Sequence, residues 1–242
     1  MARQCVQGSP GSFLTGAPTF PGVPFTVAAF FNTTNPAIGN DQEIFLINPL
    51  GAGTVDNIGM KIVNASSKLA CFTSDGGGVF NTVTVNTVLT ANTWYSAVFS
   101  EVSTVSRVAY LNGVGTSNST SASLATQNFG GCWVGSYLGN NNTSFNGPIA
   151  EVAVWSVALT AGEAAAYNAG CPAYMIRPKS LLGYWPLWGL VSPEPDLSGL
   201  KFALTLTGAP AKANHAPVTL WTPKWAQFAE LPADILYAQA CM

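Results

Sequence analysis

Between residues 25 and 155 the chain repeats one pattern: short runs rich in Val, Ile, Phe, Thr and Tyr, each closed off by Gly, Asn, Ser or Pro. Such runs predict strands, at 25–31, 43–47, 58–63, 69–73, 79–87, 94–100, 107–111, 132–136 and 149–155. In the fifth, Val79, Asn81, Val83 and Val85 alternate with Phe80, Thr82, Thr84 and Asn86. One face of that strand can therefore be buried while the other meets solvent or a second layer. Short strands with frequent turn signals argue for an antiparallel sandwich or barrel. The stretch 75–78 and the pair Asn112, Gly113 suit hairpin turns, because Gly and Asn tolerate positive φ. One helix interrupts the pattern. Thr160 offers an N-cap hydroxyl, Glu163 stands where a capping box needs a carboxylate, and Gly170 closes the segment. Trp94, Tyr110 and Trp155 fall on different strands and are expected to point into the interior.

After the helix the character changes. A Pro-containing linker at 171–179 leads to an aromatic run at 183–189, a turn-rich loop at 192–199 and renewed alternation at 201–206. From residue 216 onward Pro217, Pro223 and Pro232 are interspersed with Trp221, Trp225, Phe228 and Tyr237. This segment is too apolar to be solvated and too rich in proline for a regular element, so an extended arm laid across a surface is expected.

Composition narrows the function. Apolar residues make up 48% of the 242, whereas nine Lys and Arg face eleven Asp and Glu. An average chain of this length would carry about 60 charges. A sizeable core is expected and intrinsic disorder is excluded. Scattered cations give no basic stripe to displace counterions from phosphates, which argues against nucleic acid as partner. No apolar run approaches the roughly 18 residues of a membrane-spanning helix, and no secretory signal is legible at the start. Five cysteines without CxxC or Cys/His spacing predict mostly free thiols and no zinc site. Cys132 with Cys171 is the pair to test for a disulfide.

Catalytic patterns are missing. The only histidine, His215, precedes Ala216 and Pro217, and no G-x-S-x-G elbow supplies a nucleophile. The glycines at 76–78 lead into a strand with no Lys and no helix behind them, so they cradle no phosphate. Two acid pairs fall close together, Asp41 with Glu43 and Glu194 with Asp196, and both read as solvated loop residues. Calcium could draw on Asp56, Asp75 and the loop carrying Asn140, Asn141 and Asn142, but neutral amides make a poor cage without carboxylates. The expectation is no catalytic residue, no metal and no cofactor. The same asparagine loop could instead hydrogen-bond sugar hydroxyls.

Several motifs carry a resemblance. W-Y-S-A-V-F at 94–99, R-V-A-Y-L-N-G at 107–113 and V-G-S at 134–136 resemble the central strands of laminin G-like (LamG), concanavalin A-like jelly-roll domains. F-N-G-P-I-A-E-V-A-V-W at 145–155 is similar to that family's strand F-x-G-x-I-x-E-V-x-[IV]-[WY], and L-T-A-G-E at 159–163 to its closing helix. Glu151 in this strand is expected to pair with an Arg or accept backbone donors. The E-x-D-x-E run of the family's glycosidases does not occur. The resemblance implies an all-β, antiparallel two-sheet jelly-roll sandwich with one short helix and an extended C-terminal arm. Its core would cover residues 11–170.

Residues 183–199 resemble a strand and loop, W-P-L followed by D-x-S-G, that opens many LamG domains. They begin a truncated second module or complete the first sandwich in permuted order. The second reading is favoured, because so short a segment cannot build its own core. A domain at 1–215, completed by 180–208, would then precede an arm at 216–242. The cluster from Tyr184 to Trp188 resembles proteins of bacteriophages and environmental bacteria. That implies a non-enzymatic virion structural protein, a capsid decoration or tail component on the virion surface. Its partners would be neighbouring subunits, copies of itself or the major capsid protein, gripped by Trp221, Trp225, Phe228 and Tyr237. The alternative is a carbohydrate-binding, lectin-like module using Asn140, Asn141 and Asn142.

Overall fold

The alternating runs pair as antiparallel strands in two stacked sheets. A computed structural model describes residues 2–8, 11–17, 19, 22–48, 57–74, 80–119 and 130–218. In chain order the strands are β1 (Ala2–Cys5), β2 (Phe13–Gly16), β3 (Phe25–Phe31), β4 (Gln42–Asn48), β5 (Asn57–Val63), β6 (Lys68–Ser74), β7 (Phe80–Val88) and β8 (Tyr95–Ser103). There follow β9 (Ser106–Leu111), β10 (Val114–Asn118), β11 (Gly131–Val134), β12 (Gly147–Trp155), the helix α1 (Ala161–Asn168), β13 (Leu181–Trp185), β14 (Thr205–Thr207) and β15 (Ala211–Ala213). The back sheet has the order β10-β9-β8-β3-β12-β1-β15, with β13 also paired to β12, and the front sheet the order β14-β2-β11-β4-β5-β6-β7. This is a jelly-roll sandwich of the concanavalin A-like kind.

Alternation decides what lies between the sheets. Val27, Ala29 and Phe31 of β3 and Phe99 of β8 meet Ile44, Phe45, Ile58, Met60 and Cys71 of the front sheet. Phe31 stacks on Tyr95 with ring centres 5.7 Å apart and meets Phe145 edge-on at 6.1 Å. Burying each such side chain contributes roughly 1.5–3 kcal/mol. In β7, Asn81, Val83 and Val85 are buried and Phe80, Thr84 and Asn86 exposed, as the pattern predicts.

Trp155 and Tyr110 are buried on the opposite side from that expected. With the half-buried Trp94 they pack on the outer face of the back sheet, beneath α1 and the segment after it, beside Phe30, Tyr167, Ile176 and Tyr184. The Trp155 indole N–H donates to Ile176 O at 2.6 Å, and its ring meets Tyr167 edge-on at 6.2 Å. A second apolar layer thus exists outside the sandwich. The helix that covers it has the expected capping box, with Glu163 N donating to Thr160 Oγ1 at 3.3 Å and Thr160 N to Glu163 Oε2 at 2.9 Å. Gly170 takes a φ of 86°, and Cys171 N–H reaches back to Ala166 O.

Two strands share one edge of β12. Arg3 of β1 pairs with Ile149 and Cys5 with Gly147, whereas Trp185 of β13 pairs with Val152 and Leu181 with Trp155. Where one gives way to the other, Glu151 adopts a φ of 56° and its N–H donates to Pro186 O at 3.2 Å. Its partners are not an arginine. The carboxylate accepts from Tyr184 Oη and lies 3.2 Å from His215 Nε2, and its carbonyl accepts from Tyr167 Oη at 2.5 Å. Alongside, Trp185 and Leu187 enter the core between the sheets, and β14 pairs with β2.

Other expectations need correcting. Glu194 is not solvated. It is buried against Arg3, Nε to Oε1 at 2.5 Å, and the same guanidinium donates to Val191 O and Pro210 O. Asp196 accepts from the N–H groups of Tyr184, Ser198 and Phe202 and from Ser198 Oγ, so its loop is folded around a carboxylate. Cys132 lies in the inter-sheet core and Cys171 beside the outer cluster; with Cys5 and Cys71 both are free thiols. Burial pushes the Cys5 thiol up to about 12. Asn112 and Gly113 form the expected hairpin turn, with φ of 50° and 79°. The turn proposed at 75–78 lies outside the described residues, as do Trp221, Trp225, Phe228 and Tyr237.

Glu101 and Arg107, directly opposite each other on β8 and β9, form an ion pair with no exposed side-chain surface on either partner, Nε to Oε2 at 3.0 Å. Burial still pushes the Glu101 carboxyl above its usual range, against the pull of the guanidinium. Glu101→Ala, which removes the buried counter-charge of the arginine, is expected to cost on the order of 3–5 kcal/mol in urea denaturation. Replacing both by Met and Leu should recover most of that.

Candidate functional site

The outer face of the front sheet carries a pocket of about 200 Å³ lined by Asp41, Glu43, Lys61, Phe72, Phe80, Tyr137 and Thr143. Register builds it. Glu43 of β4 stands opposite Lys61 of β5, and Gly59 of β5 opposite Phe72 of β6. With no side chain on Gly59, the Phe72 ring and the Glu43 carboxyl fold over the bare backbone. A Cβ there would lie 2.5 Å from Phe72 Cζ and 2.6 Å from Glu43 Oε1. Phe80, half exposed on β7, tilts against Phe72 with ring centres 5.5 Å apart. Tyr137 and Thr143 arrive from the connection between β11 and β12, tied to β4 by a parallel bridge between Ser144 and Glu43.

Electrostatics divides the two acids. Lys61 Nζ reaches Asp41 Oδ2 at 2.8 Å and lies 5.4 Å from the centre of the Phe72 ring. Burial pushes Asp41 up, but the ammonium and the N–H of Asn64 outweigh it and hold the carboxyl below its usual range. Glu43 is buried, with Oε1 lacking any hydrogen-bond partner. Burial pushes it well above the usual range, Lys61 opposing and Asp41 reinforcing the shift. The Tyr137 phenol is pushed up as well, by burial and then by Glu43, with Lys61 opposing. One acid is thus paired with an ammonium, whereas the other lines the pocket buried, its carboxyl pushed up by that burial. The expectation that Asp41 and Glu43 are merely solvated fails for Glu43.

The asparagine loop lies beside this pocket. Asn140 Oδ1 accepts from Asn142 N at 3.0 Å, capping a single turn of 3-10 helix. Asn141 O accepts from Gly8 N at 3.1 Å and Asn142 O from Gln7 Nε2 at 2.7 Å, so the loop is anchored to the N-terminal segment. The side chains of Asn140 and Asn142 are exposed, and the lining of the pocket begins at Thr143. Among the described residues no three His, Cys, Asp or Glu gather as metal ligands. Asp56 and Asp75 lie outside them. Lys61, Phe72, Phe80 and Tyr137 carried no motif in the sequence. Only the alternation of Phe80 against buried Val83 and Val85 placed it on an outer face.

Residues 7–165 match the sequence profile of the concanavalin A-like lectin/glucanases superfamily. The chain belongs to that superfamily. Strands β13 to β15 lie beyond the matched portion of this superfamily member. No curated protein matches its sequence. Among solved structures it is similar to a heptameric SAP-like pentraxin from Limulus polyphemus, at 15% identity and a TM-score of 0.56, over 71% of this chain and 82% of that one. It is also similar to the CBM40 of the Ruminococcus gnavus IT-sialidase bound to α2,3-sialyllactose, at 13% identity and a TM-score of 0.51, over 69% and 97%. Domains LG4-5 of the mouse laminin α1 chain align at 15% identity and a TM-score of 0.51, over 66% of this chain and 43% of that one. At such identities the likeness is one of fold.

Because the Glu43 carboxyl has a raised value in the folded state, the native chain binds more protons than the unfolded one between the two values, and stability falls as pH rises through that window. Its contribution is complete below the unfolded value near 4.5 and is lost toward the folded one. Melting curves from pH 4.5 to 8 are expected to show the wild type losing stability relative to Glu43→Gln, by on the order of 1 kcal/mol per pH unit inside the window. Gly59→Ala should overpack the same spot and cost about 1–3 kcal/mol in denaturant titration.

Proposed function

We propose that this protein is a carbohydrate-binding, lectin-like module that holds its ligand in the pocket between Glu43, Lys61, Phe72, Phe80 and Tyr137. One observation carries the reading: a pocket in which the half-exposed Phe80 ring and the Tyr137 phenol stand beside the Lys61–Asp41 pair. Aromatic rings offer flat apolar faces to the C–H side of a sugar, while a few placed polar groups fix its orientation. That the Ruminococcus gnavus module of similar fold was solved with α2,3-sialyllactose supports a sugar as the ligand class. Non-enzymatic binding fits the chemistry, because glycoside hydrolysis needs two carboxylates across the scissile bond and Asp41 is committed to Lys61. Attachment to virion subunits through Trp221, Trp225, Phe228 and Tyr237 would depend on residues outside those described, and no observation favours it.

A glycan array probed with the intact chain tests the proposal. At least one glycan is expected to bind, with Phe80→Ala weakening the titrated affinity by about tenfold and leaving the melting temperature unchanged. Equal loss on Asn142→Ala, with Phe80→Ala harmless, would move the ligand to the asparagine loop. An array without any signal would overturn the proposal.

A further inference from the structure

Resting on the carbohydrate reading, the groups that stay open in the pocket narrow the ligand further. Glu43 and Phe72 are closed off, 2% and 1% exposed. What remains open to a ligand is the half-exposed Phe80 ring and the Lys61–Asp41 pair, whose side chains are 27% and 37% exposed. The pair is not saturated. An ammonium has three donors, and Lys61 gives one of them to Asp41 Oδ2 at 2.8 Å. Asp41 Oδ1 accepts from the N–H of Asn64 at 3.0 Å, which leaves each carboxylate oxygen able to accept once more. A free donor and a free acceptor therefore stand side by side at the pocket wall.

Their spacing decides what can use both. A lone hydroxyl at hydrogen-bond distance from Lys61 Nζ and from Asp41 Oδ2 would close a triangle with an angle of about 60° at its oxygen, and hydrogen bonds weaken steeply as they bend. Two neighbouring hydroxyls close a four-cornered ring instead. One accepts from the ammonium, the other donates to the carboxylate, and the two oxygens of a gauche diol are themselves about one hydrogen-bond length apart. Both charges stay paired throughout, so neither is stranded. Phe80 on the neighbouring wall then offers its flat face to the ring that carries the diol.

We infer that the pocket recognises a pyranose through a gauche vicinal diol that bridges Lys61 Nζ and Asp41 Oδ2, with the sugar ring laid on Phe80. An isolated hydroxyl does not suffice.

The test titrates the intact chain by NMR with the methyl α-pyranosides of glucose, galactose and mannose and with their monodeoxy analogues. Removing the 3-hydroxyl leaves three hydroxyls on the sugar but no vicinal pair. The 3-deoxy analogue of whichever sugar binds is expected to lose at least about tenfold in affinity. One of its 2- and 4-deoxy analogues should lose about as much, and the other should stay within about twofold of the parent. Lys61→Met, which keeps the stem over Phe72, and Asp41→Ala should each weaken binding of the parent sugar about tenfold while melting close to wild type, since a partly exposed pair adds little stability. Against either variant the parent and the 3-deoxy sugar should bind within about twofold of each other, because the diol has lost its bridge. Equal binding of parent and 3-deoxy sugar by the wild type, or a loss confined to the 3-deoxy sugar, overturns the inference and leaves the carbohydrate reading standing. A tenfold gap that persists in both variants overturns it as well, by moving the diol away from the pair. Binding of none of these pyranosides overturns the carbohydrate reading of this pocket, and the inference with it.

Discussion

The edge of β12 is claimed by two strands, and the structure turns on how the chain hands that edge from one to the other. β1 occupies it as far as Ile149 and β13 from Val152 onward. Between them Glu151 takes a left-handed conformation that costs a non-glycine residue about 1–3 kcal/mol. The cost is offset because each polar group of the residue is satisfied: the N–H by Pro186, the carbonyl by Tyr167 and the carboxylate by Tyr184 and His215. These four partners come from α1, from β13 and its exit, and from the stretch after β15. One buried residue, through its backbone and its carboxylate, therefore fixes the register of segments far apart in sequence. The Arg3–Glu194 pair repeats the device on the neighbouring loop.

This arrangement makes the two outer faces of the sandwich unlike each other. The outer face of the back sheet is spent on a second apolar layer, with Trp155, Tyr110 and Phe30 beneath α1 and the 171–185 segment. Among the described residues no such layer covers Lys61 and Phe80 on the front sheet, and both are partly exposed. Gly59 leaves a gap in that surface, which the Glu43 carboxyl and the Phe72 ring occupy. A glycine in a strand interior weakens the strand, and Phe72 compensates by folding its ring across the gap from the neighbouring strand.

Local rules made much of this legible. The strands at 25–31 and 149–155, the capping box of Thr160 with Glu163 and the Asn112–Gly113 turn each follow from a short-range signal, and the structure has all of them. β1 and β2 escaped notice because four residues such as Ala2, Arg3, Gln4 and Cys5 are too few and too polar to display a period. Trp155 shows a different limit. Alternation says which residues share a face, but not which face meets the other sheet, and both faces of the back sheet are buried. The buried partners of Glu151 and Glu194 were illegible for the same reason, since they depend on contacts between segments well apart in the sequence.

The pocket is harder still to read from sequence, because it depends on register more than on residue type. Shift β5 by one position against β4 and β6, and Lys61 would turn into the core while Ile62 faced solvent. Asp41 would then lack its counter-charge and Glu43 its neighbour. The buried Ile58, Met60 and Ile62 forbid that slip, since they must stay between the sheets. The apolar side of β5 thus holds the polar side in place, and the burial of the Glu43 carboxyl above Gly59 is a consequence of how the core packs beneath it.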